Sequence, residues 1–201
     1  MTDIATRIIP NHILTNPSLI LTFWFRTASY FSSKNNIFIK LLNIPIRLIY
    51  KGLELLTGIQ IPIGAAIQGG IRFIHFSGIV ISQSAIIGEN CTFLQGVTIG
   101  RTFSGEKAGV PIFADHVVAF AGAKIIGNVK IGSHVIIGAN AVVIDDVPDN
   151  CVVAGVPAKI VSRNSLECFG YERWKKEYAF MQIKNKYDKD TGYKDGASDL
   201  S

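Results

Sequence analysis

Apolar side chains recur every six residues through two long tracts of this chain. With Ile63 as position 1 of a hexad, position 1 returns at Gly69, His75, Ile81, Ile87, Phe93 and Ile99. After a break it resumes at Phe113, Ala119, Ile125, Ile131, Ile137 and Val143. Position 5 is small or aliphatic throughout, from Ile67, Phe73, Ile79, Ala85, Cys91 and Val97 to Val117, Ala123, Val129, Val135, Ala141 and Val147. Glycine is common at position 2, as at Gly64, Gly70, Gly88, Gly100, Gly132 and Gly138. Such a period is neither that of a helix nor that of a simple strand alternation. It fits short flat strands joined by tight turns, three strands making one triangular coil of 18 residues.

Coils of this kind stack as parallel strands about 4.8 Å apart. Position 1 is then expected to point inward and fill the prism, with position 5 packing small side chains near a corner. Position 4 holds Ser84, Asn90, Gly96, His116, Gly122, Asn128, His134, Asn140 and Asp146. Those residue types tolerate left-handed backbone angles, so position 4 reads as the corner itself. The break, residues 101–112, is polar and glycine-bearing and is expected to loop out of the prism.

Three segments follow from this pattern. Residues 1–57 are apolar but lack the hexad, and their spacing suits amphipathic helices punctuated by Pro10, Pro17 and Pro45. Residues 58–162 are the prism. Residues 163–201 are read as a short helix around residues 171–184 followed by a polar tail.

Hydrophobic residues make up 48% of the 201-residue chain and charged ones 17%, a globular balance that argues against disorder. The net charge of +5 is modest and shows no basic stripe interleaved with aromatics, which argues against nucleic acid as a partner. Cys91, Cys151 and Cys168 are odd in number and lack metal spacing, so they read as reduced thiols. The first residues show no signal-peptide pattern, and the apolar run from Leu19 to Phe25 is far shorter than the roughly 20 residues of a membrane span. A cytoplasmic protein is expected, with the N-terminal helices as candidates for contact with the inner face of a membrane.

Three stretches resemble the hexapeptide-repeat acyltransferases, and within them the serine acetyltransferases. They are Ile79-Val80-Ile81 through Leu94-Gln95-Gly96-Val97-Thr98-Ile99-Gly100, then Gly122-Ala123-Lys124-Ile125-Ile126-Gly127-Asn128, and Ala154-Gly155-Val156-Pro157-Ala158-Lys159-Ile160-Val161. The resemblance covers residues 58–162. It implies a left-handed parallel β-helix, acetyl-CoA as co-substrate with no metal, and a homotrimer, with pairing of trimers through the N-terminal helices as a further option.

The resemblance places the family's general base at His75. An imidazole, with an unperturbed pKa of about 6.5, can accept the proton of an acceptor hydroxyl as its oxygen attacks a thioester. His75 also stands at a position where every bulky neighbour is aliphatic or aromatic, whereas the plainer reading is a corner histidine satisfied by backbone. The resemblance further implies that acetyl-CoA lies in a groove between neighbouring prisms. Ala121 and Ala139 would let the pantetheine arm approach the backbone, Gly100 would permit close approach at the loop base, and Lys159 with Arg163 would face the nucleotide phosphates. Each also has an ordinary reading, as a small residue at a crowded corner or a solvated surface cation.

The departures bear on the acceptor. Serine acetyltransferases carry an Asp-Arg-His-Pro loop segment where this chain has Ala108-Gly109-Val110-Pro111, and aspartates where it has Ile74 and Gln60. A zwitterionic amino acid needs paired charges for its ammonium and carboxylate. Their replacement points to a carbohydrate acceptor, as in the O-acetyltransferases of capsule, O-antigen or exopolysaccharide synthesis. Serine O-acetylation and amino-sugar N-acetylation are the alternatives within this chemistry. Two rivals lie outside it: a zinc enzyme drawing on His75, His116 and His134, as in β-helical carbonic anhydrases, and a non-catalytic β-helix scaffold.

Overall fold

The computed structural model describes residues 17–75 and 77–165. Residues 1–16, Cys168 and the helix expected around residues 171–184 lie outside that range. From Ile59 onward the chain runs as strands of two to four residues, each ended by a turn. The first sheet contains β1 (Ile59–Gln60), β4 (Ile79–Ile81), β7 (Thr98–Gly100), β10 (Lys124–Ile126) and β13 (Val142–Val143). The second contains β2 (Ala66–Ile67), β5 (Ile86–Ile87), β8 (Ile112–Phe113) and β11 (Lys130–Ile131). The third contains β3 (Arg72–Ile74), β6 (Thr92–Leu94), β9 (Val118–Ala119), β12 (Ile136–Ile137), β14 (Val152–Ala154) and β15 (Lys159–Ser162). All pairings are parallel except that of β14 with β15, and the whole is a left-handed parallel β-helix.

From β4 onward the hexad matches the interior. Ile87, Phe93, Ile99, Ile125 and Ile137 are buried, as are Ala85, Cys91, Val97, Val117, Val129 and Val135 at position 5. Each buried Ile or Phe contributes about 1.5–3 kcal/mol relative to exposure. Phe93 stacks on Phe73 at 6.4 Å and meets Phe113 edge-on at 5.7 Å, a continuous aromatic column through three coils.

The first coil departs from the expectation. Later coils advance by 18 residues where nothing is inserted, as in Val80 beside Thr98 and Lys124 beside Val142, by 26 across the loop, as in Ile99 beside Ile125, and by 16 at the last coil, as in Ile136 beside Val152. The first advances by 20, with Ile59 beside Ile79 and Phe73 beside Phe93. Its inward residues are therefore Ile61, Ile67 and Phe73, not Ile63, Gly69 and His75. The two added residues fall between Phe73 and Ile79. There His75 takes a left-handed φ of 55° and is exposed, so it does not interrupt the aliphatic stack from within.

Two of the three corners are left-handed columns. One carries Gly58, Gly78, Gly96, Gly122 and Asn140, and another Gly70, Asn90, His116, His134 and Asn150, all with positive φ. The third corner differs from the expectation: Ser84, Asn128 and Asp146 are not left-handed, and φ is instead positive at Gly64, at 88°, and at Gly127, at 87°. The loop also ends earlier than expected, because Ile112 pairs with Ile86 as part of β8. Thr102 and Gly109 close the loop as a small antiparallel bridge, and Asn128 N–H donates to the Lys107 carbonyl at 2.9 Å.

The helices α1 (Pro17–Ser32) and α2 (Ile37–Thr57) cover the open end of the prism. An edge strand there leaves N–H and C=O groups that need partners. Arg26 donates to the Ile67 and Gln68 carbonyls, and Ser18 Oγ accepts from Phe73 N–H at 3.1 Å. Tyr50 Oη donates to the Ile61 carbonyl at 2.6 Å, and Glu54 Oε1 accepts from Ile61 N–H at 3.0 Å. Leu21, Phe25 and Tyr50 bury themselves beneath this seam.

Candidate active site

The turn from the third sheet to the first gathers several of the expected site residues on one outer edge. Ser77, Gln95 and Ala121 stack there, their carbonyls accepting from Gly96, Gly122 and Asn140 N–H at 2.9 Å each. Ala139 precedes Asn140 on the next coil, and Gly155 follows, its carbonyl accepting from Val142 N–H at 3.0 Å. His75 stands two residues before Ser77 on the same edge. With coils about 4.8 Å apart, Ala121 lies about 10 Å and Ala139 about 14 Å along the edge from the turn bearing His75. Gly78 and Gly96 carry no side chain at this turn, whereas the space beside Gly122 is filled by Asn140 Oδ1, which would lie 2.1 Å from an added Cβ.

The other expected residues are divided. Lys159 is exposed at the start of β15, just past the Gly155–Ala158 turn, and so sits at the end of the column remote from His75. Arg163 is also exposed but follows the end of β15, on the side where Ser165 N–H donates to the Asn150 carbonyl. The antiparallel run of β15 thus carries Arg163 across the sheet, away from Lys159. Gly100 lies at the far end of β7, at the base of the loop, where an added Cβ would come within 2.7 Å of Ile126 Cδ1.

Lys124 is a further residue at this edge, one that no sequence pattern marks. Its Nζ donates to the Gly96 carbonyl at 2.5 Å and to Thr98 Oγ1 at 3.1 Å, placing a cation beside the edge one coil from the His75 turn. Outward positions follow no period, so no pattern singles it out.

Beside His75, Ile74 is 43% exposed, and Gln60 pairs with the outward-facing Val80. The positions that hold aspartates in the resembling family thus present an uncharged surface here. His116 and His134 occupy a different corner from His75, their rings parallel within 2° and 4.8 Å apart. Among the described residues no group of three or more His, Cys, Asp or Glu side chains could hold a metal ion. Cys91 is equally remote from reactivity: burial raises its thiol to about 11.

No family model matches the chain. A serine acetyltransferase of Synechococcus elongatus is 44% identical over 115 residues, 56% of this chain and 46% of the relative. One of Staphylococcus aureus is 43% identical over 110 residues, 55% and 52% of the two chains. The likeness is to serine acetyltransferases. Solved structures agree. A serine acetyltransferase in complex with cysteine superposes with a TM-score of 0.65 at 33% identity, covering 80% of this chain and 64% of the other. One in complex with CoA gives 0.62 at 33% identity, covering 74% and 59%. The chain spans about half the length of the curated serine acetyltransferases it matches. These named relatives and solved structures are serine acetyltransferases, and none of the four is named for a carbohydrate acceptor.

Proposed function

We propose that this protein transfers the acetyl group of acetyl-CoA to a hydroxyl, with His75 as general base. The observation that carries this reading is the placement of His75 at one end of an exposed, glycine-turned backbone edge that also bears Ala121 and Ala139, with Lys159 at the other end. Acetyl-CoA extended along that edge has its thioester at His75 and its phosphates near Lys159. The imidazole takes the hydroxyl proton as the oxygen bonds to the thioester carbonyl carbon. The tetrahedral intermediate then expels CoA as a thiolate, which receives the proton held by the imidazolium. Products are the acetyl ester and CoA–SH, and the base returns neutral. A second prism supplies the other wall of the groove, so the working form is a homotrimer.

Serine is the acceptor that the named relatives support. A second reading, a neutral carbohydrate hydroxyl, is favoured by Ile74 and Gln60, uncharged where an ammonium would need a carboxylate. The test is thiol release from acetyl-CoA by wild type and His75→Asn, against serine and a panel of sugars and polysaccharide repeat units. Asparagine keeps the left-handed turn, as Asn90, Asn140 and Asn150 do in this protein. Turnover should fall by about 10²–10⁴-fold in the variant with fold and acetyl-CoA binding retained. Unchanged turnover in His75→Asn overturns the assignment of the base, and turnover of serine or of a sugar alone decides the acceptor.

A further inference from the structure

Helix α2 leaves a wide apolar face outside. The stripe facing the protein is mixed: Asn43, Tyr50, Glu54 and Thr57 are its buried residues, with Ile46 and Leu53 partly buried beside them. Asn43 Nδ2 donates to Ser32 Oγ at 2.9 Å, while Tyr50 and Glu54 hold the backbone of Ile61. The opposite face is apolar and open to solvent. Ile37, Leu41, Ile44 and Leu48 share it at three- and four-residue spacings, Leu55 continues it seven residues on past Lys51, and Phe38 and Leu56 lie alongside. Phe38 is 77% exposed, Leu48 68%, Leu55 77% and Leu56 81%. Nothing among the described residues covers this face, and burying it would recover about 1.5–3 kcal/mol of transfer free energy per large side chain.

The charges beside that face are of one sign. Lys34 lies in the turn before α2, and Lys40 and Arg47 are exposed seven residues apart on one flank of the helix. The helix's only acid, Glu54, is buried and bound to Lys51 and Ile61 N–H. No helix among the described residues is long and apolar enough to cross a membrane. A wide apolar face flanked by cations alone is complementary to an anionic bilayer surface, with leucines in the acyl boundary and lysine and arginine at the headgroups.

We propose that α2 docks this protein on anionic lipid membrane. The helix covers the end of the prism nearest His75, and Ser18 of α1 holds the backbone of Phe73, two residues from it. Docking therefore sets the candidate base close to the bilayer, within reach of an acceptor carried on lipid. The proposal does not depend on the acetyl-transfer reading, because its readout is sedimentation.

The experiment is co-sedimentation of the full chain with vesicles of phosphatidylglycerol and phosphatidylcholine, against phosphatidylcholine alone. Wild type should bind the anionic vesicles and lose them in high salt. Leu48→Glu with Leu55→Glu should weaken binding by about tenfold or more, and Lys40→Glu with Arg47→Glu by about fivefold per residue. All four sites are exposed, so each variant should melt near wild type, which separates lost docking from lost fold. Failure of wild type to sediment with anionic vesicles overturns the proposal, as does binding indifferent to these variants. If the wild type instead forms a larger assembly that the leucine variants dissociate, without vesicle binding, a second copy covers the face and the proposal falls.

Discussion

Replacing Gly88 by alanine should damage this protein far more than the same change at Gly96, though both are turn glycines of the same tract. Gly88 follows β5, and its N–H donates to the Phe113 carbonyl at 3.0 Å on the next coil. A Cβ there would lie 2.7 Å from both the carbonyl carbon and oxygen of Ala114, and 2.4 Å from Asp115 Oδ1. Backbone held in a parallel ladder cannot step aside, so the coils must separate. Overpacking of this kind costs about 1–3 kcal/mol. Separation also strains the bond in which Asp115 Oδ1 accepts from Glu89 N–H at 2.7 Å, a charge-assisted contact of about 1.5–3 kcal/mol. A loss of about 4 kcal/mol follows, which lowers Tm by about 8–16 °C in a chain of this length. At Gly96 the added Cβ would sit 3.5 Å from Gly122 N and Cα, ordinary contact, and the cost is that of a left-handed φ of 72°, about 1 kcal/mol or 2–4 °C. Calorimetry of the two variants, with urea unfolding as a second measure, gives the comparison. Gly96→Ala lies on the proposed cofactor edge, so its KM for acetyl-CoA should rise by about tenfold, the worth of one hydrogen bond. A Gly88→Ala protein that melts as high as Gly96→Ala would refute the close-approach argument.

Three further outcomes are expected. Tyr50→Phe leaves the Ile61 carbonyl without its donor and should cost about 1–2 kcal/mol in urea unfolding, with no change in catalysis. Cys91, buried with its thiol raised to about 11, should resist alkylation at pH 8 in the native protein. The native state also holds that proton longer than the unfolded chain does. Its contribution to stability is therefore full below pH of about 8.5 and fades as pH climbs towards about 11, which unfolding curves across that range can show. His116→Asn and His134→Asn keep left-handed turn residues and should leave Tm within about 2 °C and activity unaltered, also after chelator treatment, whereas a zinc role would abolish activity.

The hexad alone determined a stack of triangular coils and, from Ile81 onward, most of what lies inside it. That pattern is legible because a side chain's burial in a regular coil depends on its place within six residues, and linear spacing reports it. The phase of the first coil is not legible. Ile67, Phe73 and Ile79 are apolar and six apart, so the tract reads as unbroken although two residues are added between Phe73 and Ile79. Only hydrogen bonds to the next coil reveal the slip, by pairing Phe73 with Phe93, and that slip is what brings His75 out to a corner. The same holds for Ala121 and Ala139, whose spacing shows that they stack but not that His75 shares their edge. Helix α2 follows the same logic. Its periodicity marks an apolar face, yet the exposed backbone of Ile61 requires polar partners, so the tertiary structure turned Tyr50 and Glu54 inward with Leu53 and left the other leucines outside.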